Sequence, residues 1–286
     1  MGIQTDRKLN RLQRCLPEGL VVDAAWLERR GYSRALRAKY VKSGWLDPLA
    51  RGVYRRPPAK LRATGAAQRL QWQHVVISLQ GLMNQPVAVG GRTALELQGF
   101  GHYLRAAGAA REVHVYRNRK LPGWVARLPM DTRFVSHNAA RLFASGAILR
   151  HLGKPSGDAR RQAAAGQIQE PWGHWDWPLV MSAPERAILE LLDELPARET
   201  FHQVDMLMEG LRNLSPRRLH SLLVDCRSVK VKRLFLWFAK RHRHPWLKRL
   251  DRTGIDLGRG KRMLVRGGKF DTEFNITVPG NLDAGF

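Results

Sequence analysis

Residues 32–56 read Tyr32-Ser-Arg-Ala-Leu-Arg-Ala-Lys-Tyr-Val-Lys-Ser-Gly-Trp-Leu-Asp-Pro-Leu-Ala-Arg-Gly-Val-Tyr-Arg-Arg56. Ser33 is a good N-cap, because its hydroxyl can accept from the free backbone N–H groups of the next turn. A helix of about ten residues follows, close to the usual length. Gly44 can end it in the left-handed conformation. Leu36 and Tyr40 stand i, i+4 with Val41 beside them, so one face can meet a core. Arg34, Arg37 and Lys42 fall on other faces, with no acid among them. After Gly44, Trp45-Leu46 is a short apolar pair and Asp47-Pro48 reads as a turn. Arg51-Gly52-Val53-Tyr54-Arg55-Arg56 then reads as a second strand with a basic tip. A basic helix followed at once by a small basic hairpin is the local order of a winged helix-turn-helix. In that arrangement the helix enters the major groove and the hairpin lies along the backbone.

The upstream residues complete the pattern. Leu9, Leu12 and Leu16 give residues 7–16 helical spacing, and Pro17-Glu18-Gly19 breaks that helix. Leu20-Val21-Val22 is a short extended piece. Asp23 can cap a helix over residues 24–30 that Gly31 ends, and a short Gly-bearing turn is what helix-turn-helix pairs use. The chain of 286 residues has a formal net charge of +25 and a globular hydrophobic fraction of 44%. Such self-repulsion calls for a polyanionic partner, nucleic acid ahead of an anionic membrane. No run of about eighteen apolar residues exists to span a bilayer, and the N-terminus lacks a signal-peptide core. A cytoplasmic protein with no membrane partner is expected. Cys15 and Cys226 fit buried free thiols in a reducing compartment.

The rest reads as a second, larger unit. The boundary is expected between residues 1–62 and 66–286, with Pro57-Pro58 leaving the wing. Trp72, Val75, Val76, Leu79 and Leu82 mark a helix over 68–83 facing a second core. Gly90-Gly91-Arg92 before a helix over 93–98 reads as a turn or as a phosphate cradle. Residues 112–116 alternate as a half-exposed strand, and 132–135 form another. Residues 153–169 read as a flexible loop able to grip nucleic acid. Trp172-Gly-His-Trp-Asp-Trp177 reads as a core strand or as a platform for stacked bases. Ser182-Ala-Pro-Glu185 and Thr200-Phe-His-Gln203 are capping boxes. With Ser215-Pro216 and the Val231, Leu234, Phe235, Phe238 stripe they give a helical array. Residues 262–266 and 270–278 read as a terminal hairpin.

The arrangement ending in Gly44-Trp45-Leu46 and Arg51-Gly52-Val53-Tyr54 resembles the winged-helix domain of AbiEi-type antitoxins. These are transcriptional regulators of AbiE-like type IV toxin–antitoxin, or abortive-infection, systems. Thr93-Ala-Leu-Glu-Leu-Gln-Gly99 resembles that family's helix after its first strand, and Val113-His114-Val115 resembles its central strand. Ser182-Ala-Pro-Glu-Arg-Ala-Ile-Leu-Glu-Leu-Leu192 resembles a helix start of the same family. The similarity covers most of the chain, to Leu223. It implies an α+β, mostly helical fold: a winged helix-turn-helix, then a larger α/β antitoxin domain with a helical array. It also implies binding to DNA repeats in the operon's own promoter, repression, and neutralisation of a nucleotidyltransferase-like toxin in phage defence. A stable toxin complex is not required, and no cofactor is expected. On this resemblance Ser33, Arg34, Arg37 and Lys42 serve the groove, with Lys39 in the same DNA-binding set. Arg51, Tyr54, Arg55 and Arg56 serve the phosphates. Lys230, Lys232, Arg233, Lys240 and Arg241 are expected to form a basic antitoxin face.

No catalytic constellation is legible. Asp271-Thr-Glu273 lacks the lysine of a restriction-type nuclease, with Asn275 in its place. The histidines show no metal-ligand spacing, and no nucleophile motif is present. The competing reading is an RNA-binding module acting on tRNA or a structured RNA, which the charge supports equally.

Overall fold

Two side-chain caps set the helix starts of the N-terminal head. In the computed structural model, which describes residues 2–58, 69–101, 111–145, 165–280 and 282, Asp23 Oδ1 accepts from the Trp26 N–H at 2.7 Å. Ser33 Oγ accepts from the Leu36 N–H at 3.3 Å. Each cap satisfies a donor that the helix itself leaves without a partner. The head runs α1 (Gly2–Cys15), β1 (Val21–Asp23), α2 (Ala24–Arg29), α3 (Arg34–Lys42), β2 (Asp47–Ala50) and β3 (Val53–Arg55). Its sheet has the order β1-β3-β2. This is the winged-helix order expected, with one correction. Asp47 and Pro48 do not form the turn; they lie in β2, opposite Arg55 and Tyr54. Arg51-Gly52 makes the turn, with Gly52 at φ +74°. Pro48 is tolerated because β2 is an edge strand, where a missing donor breaks no ladder.

The head is hydrogen-bonded to the next helical segment. Helix α4 (Trp72–Ile77) continues as a π-helical turn over Ser78–Leu82. Ser78 Oγ accepts from the Val21 N–H at 2.8 Å, and the Trp26 indole N–H donates to the Leu82 carbonyl at 2.8 Å. The π turn also carries Gln80, which is inserted between two strands of the main sheet, β4 (Val87–Val89) and β8 (Trp177–Ser182). Its amide donates to the carbonyls of Val87 and Val180 at 3.0 and 2.9 Å and accepts from the Val180 N–H at 3.0 Å. The side chain thus stands in for ladder bonds that a buried backbone cannot forgo.

The main sheet has the order β6-β5-β4-β8-β7, with β5 (Arg111–Arg117), β6 (Thr132–Asn138) and β7 (Gln167–Trp172). The β5–β6 and β4–β8 pairs are parallel, and β4–β5 and β7–β8 antiparallel. Strand β5 is not half-exposed as expected: Val113, His114, Val115 and Tyr116 are all buried. It lies inside the sheet, under α5 (Gly91–Leu97) and α7 (Pro184–Asp193), with α6 (Ala139–Leu142) between them in the chain. The His114 N–H donates to Thr93 Oγ1 at 2.9 Å, and the Tyr116 hydroxyl donates to the Glu190 carbonyl at 3.1 Å. Residues 153–164 of the expected loop lie outside the described residues, and Gln167 onward is strand.

Helices α7, α8 (Phe201–Gly210), α9 (Pro216–Asp225) and α10 (Val229–Arg241) form the expected array. The first capping box is corrected. Ser182 is the last residue of β8 and Ala183 is the N-cap. Glu185 reaches α9 instead, accepting from the Ser215 N–H at 2.7 Å and pairing with Arg218 at 2.8 Å. Thr200, Ser215 and Ser228 do cap their helices. The terminal hairpin is also corrected. β10 (Lys269–Asp271) pairs antiparallel with β11 (Ile276–Val278), while β9 (Arg262–Met263) joins β11 in parallel. One contiguous apolar core runs from Leu12 and Leu16 in the head to Ile276 and Val278.

Candidate nucleic-acid interface

Helix α3 divides its residues between core and solvent. Tyr40 is buried and Leu36 and Val41 are half-buried, as their spacing predicts. Ser33, Arg34, Lys39 and Lys42 are exposed. The three cations have no hydrogen-bond or ion-pair partner among the described residues, and the same holds for exposed Arg51 at the wing turn. Cations unpaired in the folded chain are the ones that release counterions when they meet phosphate.

Arg37 is a different case, and its expected groove role is corrected. It is 5% exposed. One guanidinium nitrogen donates to the Tyr32 carbonyl at 2.9 Å and another pairs with Glu28 at 2.8 Å. The side chain ties α2, the turn and α3 together. Leu36, Arg37, Tyr40 and Val41 form one i, i+1, i+4, i+5 stripe, so the apolar neighbours already placed Arg37 on the inner face. The wing is corrected likewise. Arg55 is 7% exposed and pairs with Asp47 at 3.0 Å across β2 and β3. Arg56 donates to the Gln13 and Leu16 carbonyls at 2.7 and 3.1 Å and pairs with Glu18 at 3.0 Å. It thereby caps the C-terminal end of α1, where cations are favoured. Tyr54 is half-buried.

The expected basic antitoxin face is not one surface. Lys232 is buried, and Arg233 is 2% exposed. The Arg233 guanidinium donates to the carbonyls of Leu257, Gly260 and Asn275, which anchors the terminal segment on α10. Lys230 donates to the Asp193 and Leu195 carbonyls at the end of α7. Lys240 pairs with Glu273, and Arg241 pairs with Asp205 at 2.9 Å. A buried cation needs such partners to offset lost hydration. Exposed cations continue through the later segment, among them Arg243, Lys248, Arg249, Arg252, Arg259, Lys261, Arg262, Arg266 and Lys269.

Two further candidates are structural. The Gly91 N–H donates to Glu190 Oε2 at 2.9 Å, so a carboxylate already occupies the proposed phosphate cradle. Asp271 Oδ1 accepts from the Phe274 N–H at 2.9 Å, and Glu273 is the partner of Lys240. One polar network was not legible in the sequence. His114 Nδ1 meets His137 Nε2 at 3.1 Å, and His137 Nδ1 meets Glu194 at 3.2 Å. Burial first, then neighbouring His137, pushes the His114 pKa down to about 4. Burial raises Glu194, but the hydrogen bond and charge of His137 outweigh it and leave that carboxyl below its usual range. Among the described residues no group of three or more His, Cys, Asp or Glu is placed to hold a metal, and no helix is long and apolar enough to cross a membrane.

Comparison with known proteins agrees with this architecture. Residues 5–106 match the family model described as transcriptional regulator, AbiEi antitoxin N-terminal domain. Residues 110–279 match the one described as transcriptional regulator, AbiEi antitoxin, type IV TA system. No curated protein matches the sequence. The fold is similar to that in the crystal structure of the Rv2827c protein from Mycobacterium tuberculosis, with a TM-score of 0.52 and 16% identity over 95% of this chain and 90% of that one. The family models together span nearly the whole chain, and the chain therefore belongs to the AbiEi antitoxins, the transcriptional regulators of type IV toxin–antitoxin systems.

Proposed function

We propose that the head binds double-stranded DNA repeats in the promoter of its own operon and represses it. The outer face of α3, with Ser33, Arg34, Lys39 and Lys42, enters the major groove, and Arg51 lies against the phosphates. The larger domain counters a nucleotidyltransferase-like toxin without requiring a stable complex. The observation that carries the DNA reading is the set of exposed cations on one face of α3 and at the wing turn, unpaired among the described residues. Arg37, Arg55 and Arg56 support that surface from behind rather than belonging to it. The toxin reading is supported by the family's description as antitoxins.

Binding to the DNA upstream of the gene, to scrambled duplex and to total tRNA, across a salt titration, tests the proposal. Preference for upstream DNA at physiological salt supports a promoter-binding regulator. Equal and steeply salt-dependent binding to all three overturns it and favours the RNA-binding reading. Co-expression with the neighbouring toxin gene tests the second half. Toxicity unrelieved by the full chain refutes that assignment.

A further inference from the structure

The duplex reading leaves the tryptophan motif unused. Trp172 and Trp177 face each other across the β7–β8 hairpin and pack edge-on against His74, with ring centroids 5.0 and 5.6 Å away. Between them, Gly173 at φ +76° and Asp176 at φ +48° turn the chain sharply. That turn lifts Trp175 into solvent, 64% exposed. Trp175 stands at an open cleft of about 370 Å³, lined by Gln13, Pro17, Glu18 and Arg56 of the head and by Trp175 and Trp177 of the hairpin.

The cleft combines the exposed Trp175 ring, the half-buried Trp177 indole packed against the core, and a wall of Gln13, Pro17 and the Glu18–Arg56 ion pair. It also lies at the end of a basic helix. Arg7, Arg11 and Arg14 stand i, i+4, i+7 on the outer side of α1, exposed and without hydrogen-bond or ion-pair partners among the described residues. Gln13, which lines the cleft, is the neighbour of Arg14. A single exposed apolar side chain is ordinary. An exposed indole in a cleft whose Gln13 adjoins Arg14, a cation without an ion-pair partner among the described residues, on a chain of net charge +25, is a combination suited to single strands. A protein partner fits less well, because specific interfaces bury on the order of 1,200 Å² or more, far beyond one indole.

We propose that this cleft receives an unpaired base of single-stranded nucleic acid, stacked on Trp175, with the adjoining phosphates held at the Arg14 end of α1. The site is separate from the outer face of α3, so this inference and the promoter reading stand or fall independently.

The test is fluorescence anisotropy on the full chain near physiological salt. Its probes are a labelled thymidylate strand, a strand of equal length without bases, and the upstream duplex. The Trp175→Ala variant is expected to bind the thymidylate strand about tenfold more weakly, in line with the loss of one stacked base. It should bind the abasic strand and the duplex as the wild type does. Trp175→Phe should retain most of the affinity, and Arg14→Ala should weaken both single strands alike. In the wild-type chain, the thymidylate strand should quench tryptophan fluorescence and the abasic strand should not. Unchanged binding by Trp175→Ala, equal affinity for the abasic strand, or absence of quenching overturns the proposal. Displacement of the strand by thymidine monophosphate at equal base concentration overturns its assignment to strands. Loss of duplex binding in Trp175→Ala would place the indole in the head's own function instead.

Discussion

Arg37→Ala distinguishes an arginine that reads DNA from one that builds the reader. The guanidinium donates to the Tyr32 carbonyl at 2.9 Å inside a buried turn. Removing a donor from a buried carbonyl costs about 1–3 kcal/mol. The Glu28 side chain is 58% exposed, so the ion pair adds at most about 1 kcal/mol. The total is roughly 2–4 kcal/mol, with lost packing of the aliphatic stem included. Lys39→Ala is the opposite case. It removes no buried contact and should change stability by less than about 0.5 kcal/mol. It should flatten the plot of log affinity against log salt by about 0.9, one phosphate's worth of released counterions. Urea unfolding of the full chain and duplex binding at several salt concentrations give both quantities. Arg37 would instead be a DNA contact if Arg37→Ala unfolds at the wild-type urea midpoint while its folded form loses duplex affinity. An unchanged salt slope in Lys39→Ala would refute the groove assignment.

Three further outcomes are expected. Glu190 is fully buried between Arg186 at 2.8 Å and the Gly91 N–H at 2.9 Å. Glu190→Gln removes the charge that balances Arg186 and should cost about 3–5 kcal/mol in chemical denaturation; wild-type stability would contradict the clamp. In Gly90→Ala the new methyl group meets the Glu190 carboxylate and the Tyr116 ring. A melting-temperature drop corresponding to at least about 1–3 kcal/mol is expected, and an unchanged transition would show that the contact is loose. Finally, His74 and His114 are pushed from 6.5 down to about 4, chiefly by burial. The unfolded chain therefore takes up these protons first. Stability is full above pH 6.5 and falls as the pH drops toward 4, by about 3 kcal/mol per histidine. Urea unfolding across that window should show the loss, and His114→Asn should reduce it; a flat profile would mean that the rings titrate freely.

The head was legible because its determinants are local. Asp23 and Ser33 cap their helices by accepting from N–H groups three residues ahead, Gly31 and Gly44 take the left-handed conformation, and the α3 core stripe repeats within two turns. The motifs of the larger domain were legible as an ordered series, and that order carried the family resemblance. Errors arose where a local pattern met a stronger distant claim. Ser182 and Glu185 have capping-box spacing, but β8 takes the serine and α9 takes the glutamate. Asp47-Pro48 has turn chemistry, but an edge strand accommodates a proline. The His114–His137–Glu194 network has no local signature, since parallel β5–β6 pairing and α7 bring it together.

Local residue patterns suffice for the helices capped by Asp23, Ser33, Thr200 and Ser215, for the apolar stripes of those helices, and for the large positive charge. Which of the described charges face solvent follows from packing between distant segments. Arg233 meets carbonyls 24, 27 and 42 residues away, and Arg56 meets partners 38 to 43 residues away. A cation's side chain is written identically whether it will face water or a buried carbonyl. Packing brings those carbonyls into place, and an arginine committed to them has little charge left to offer a phosphate.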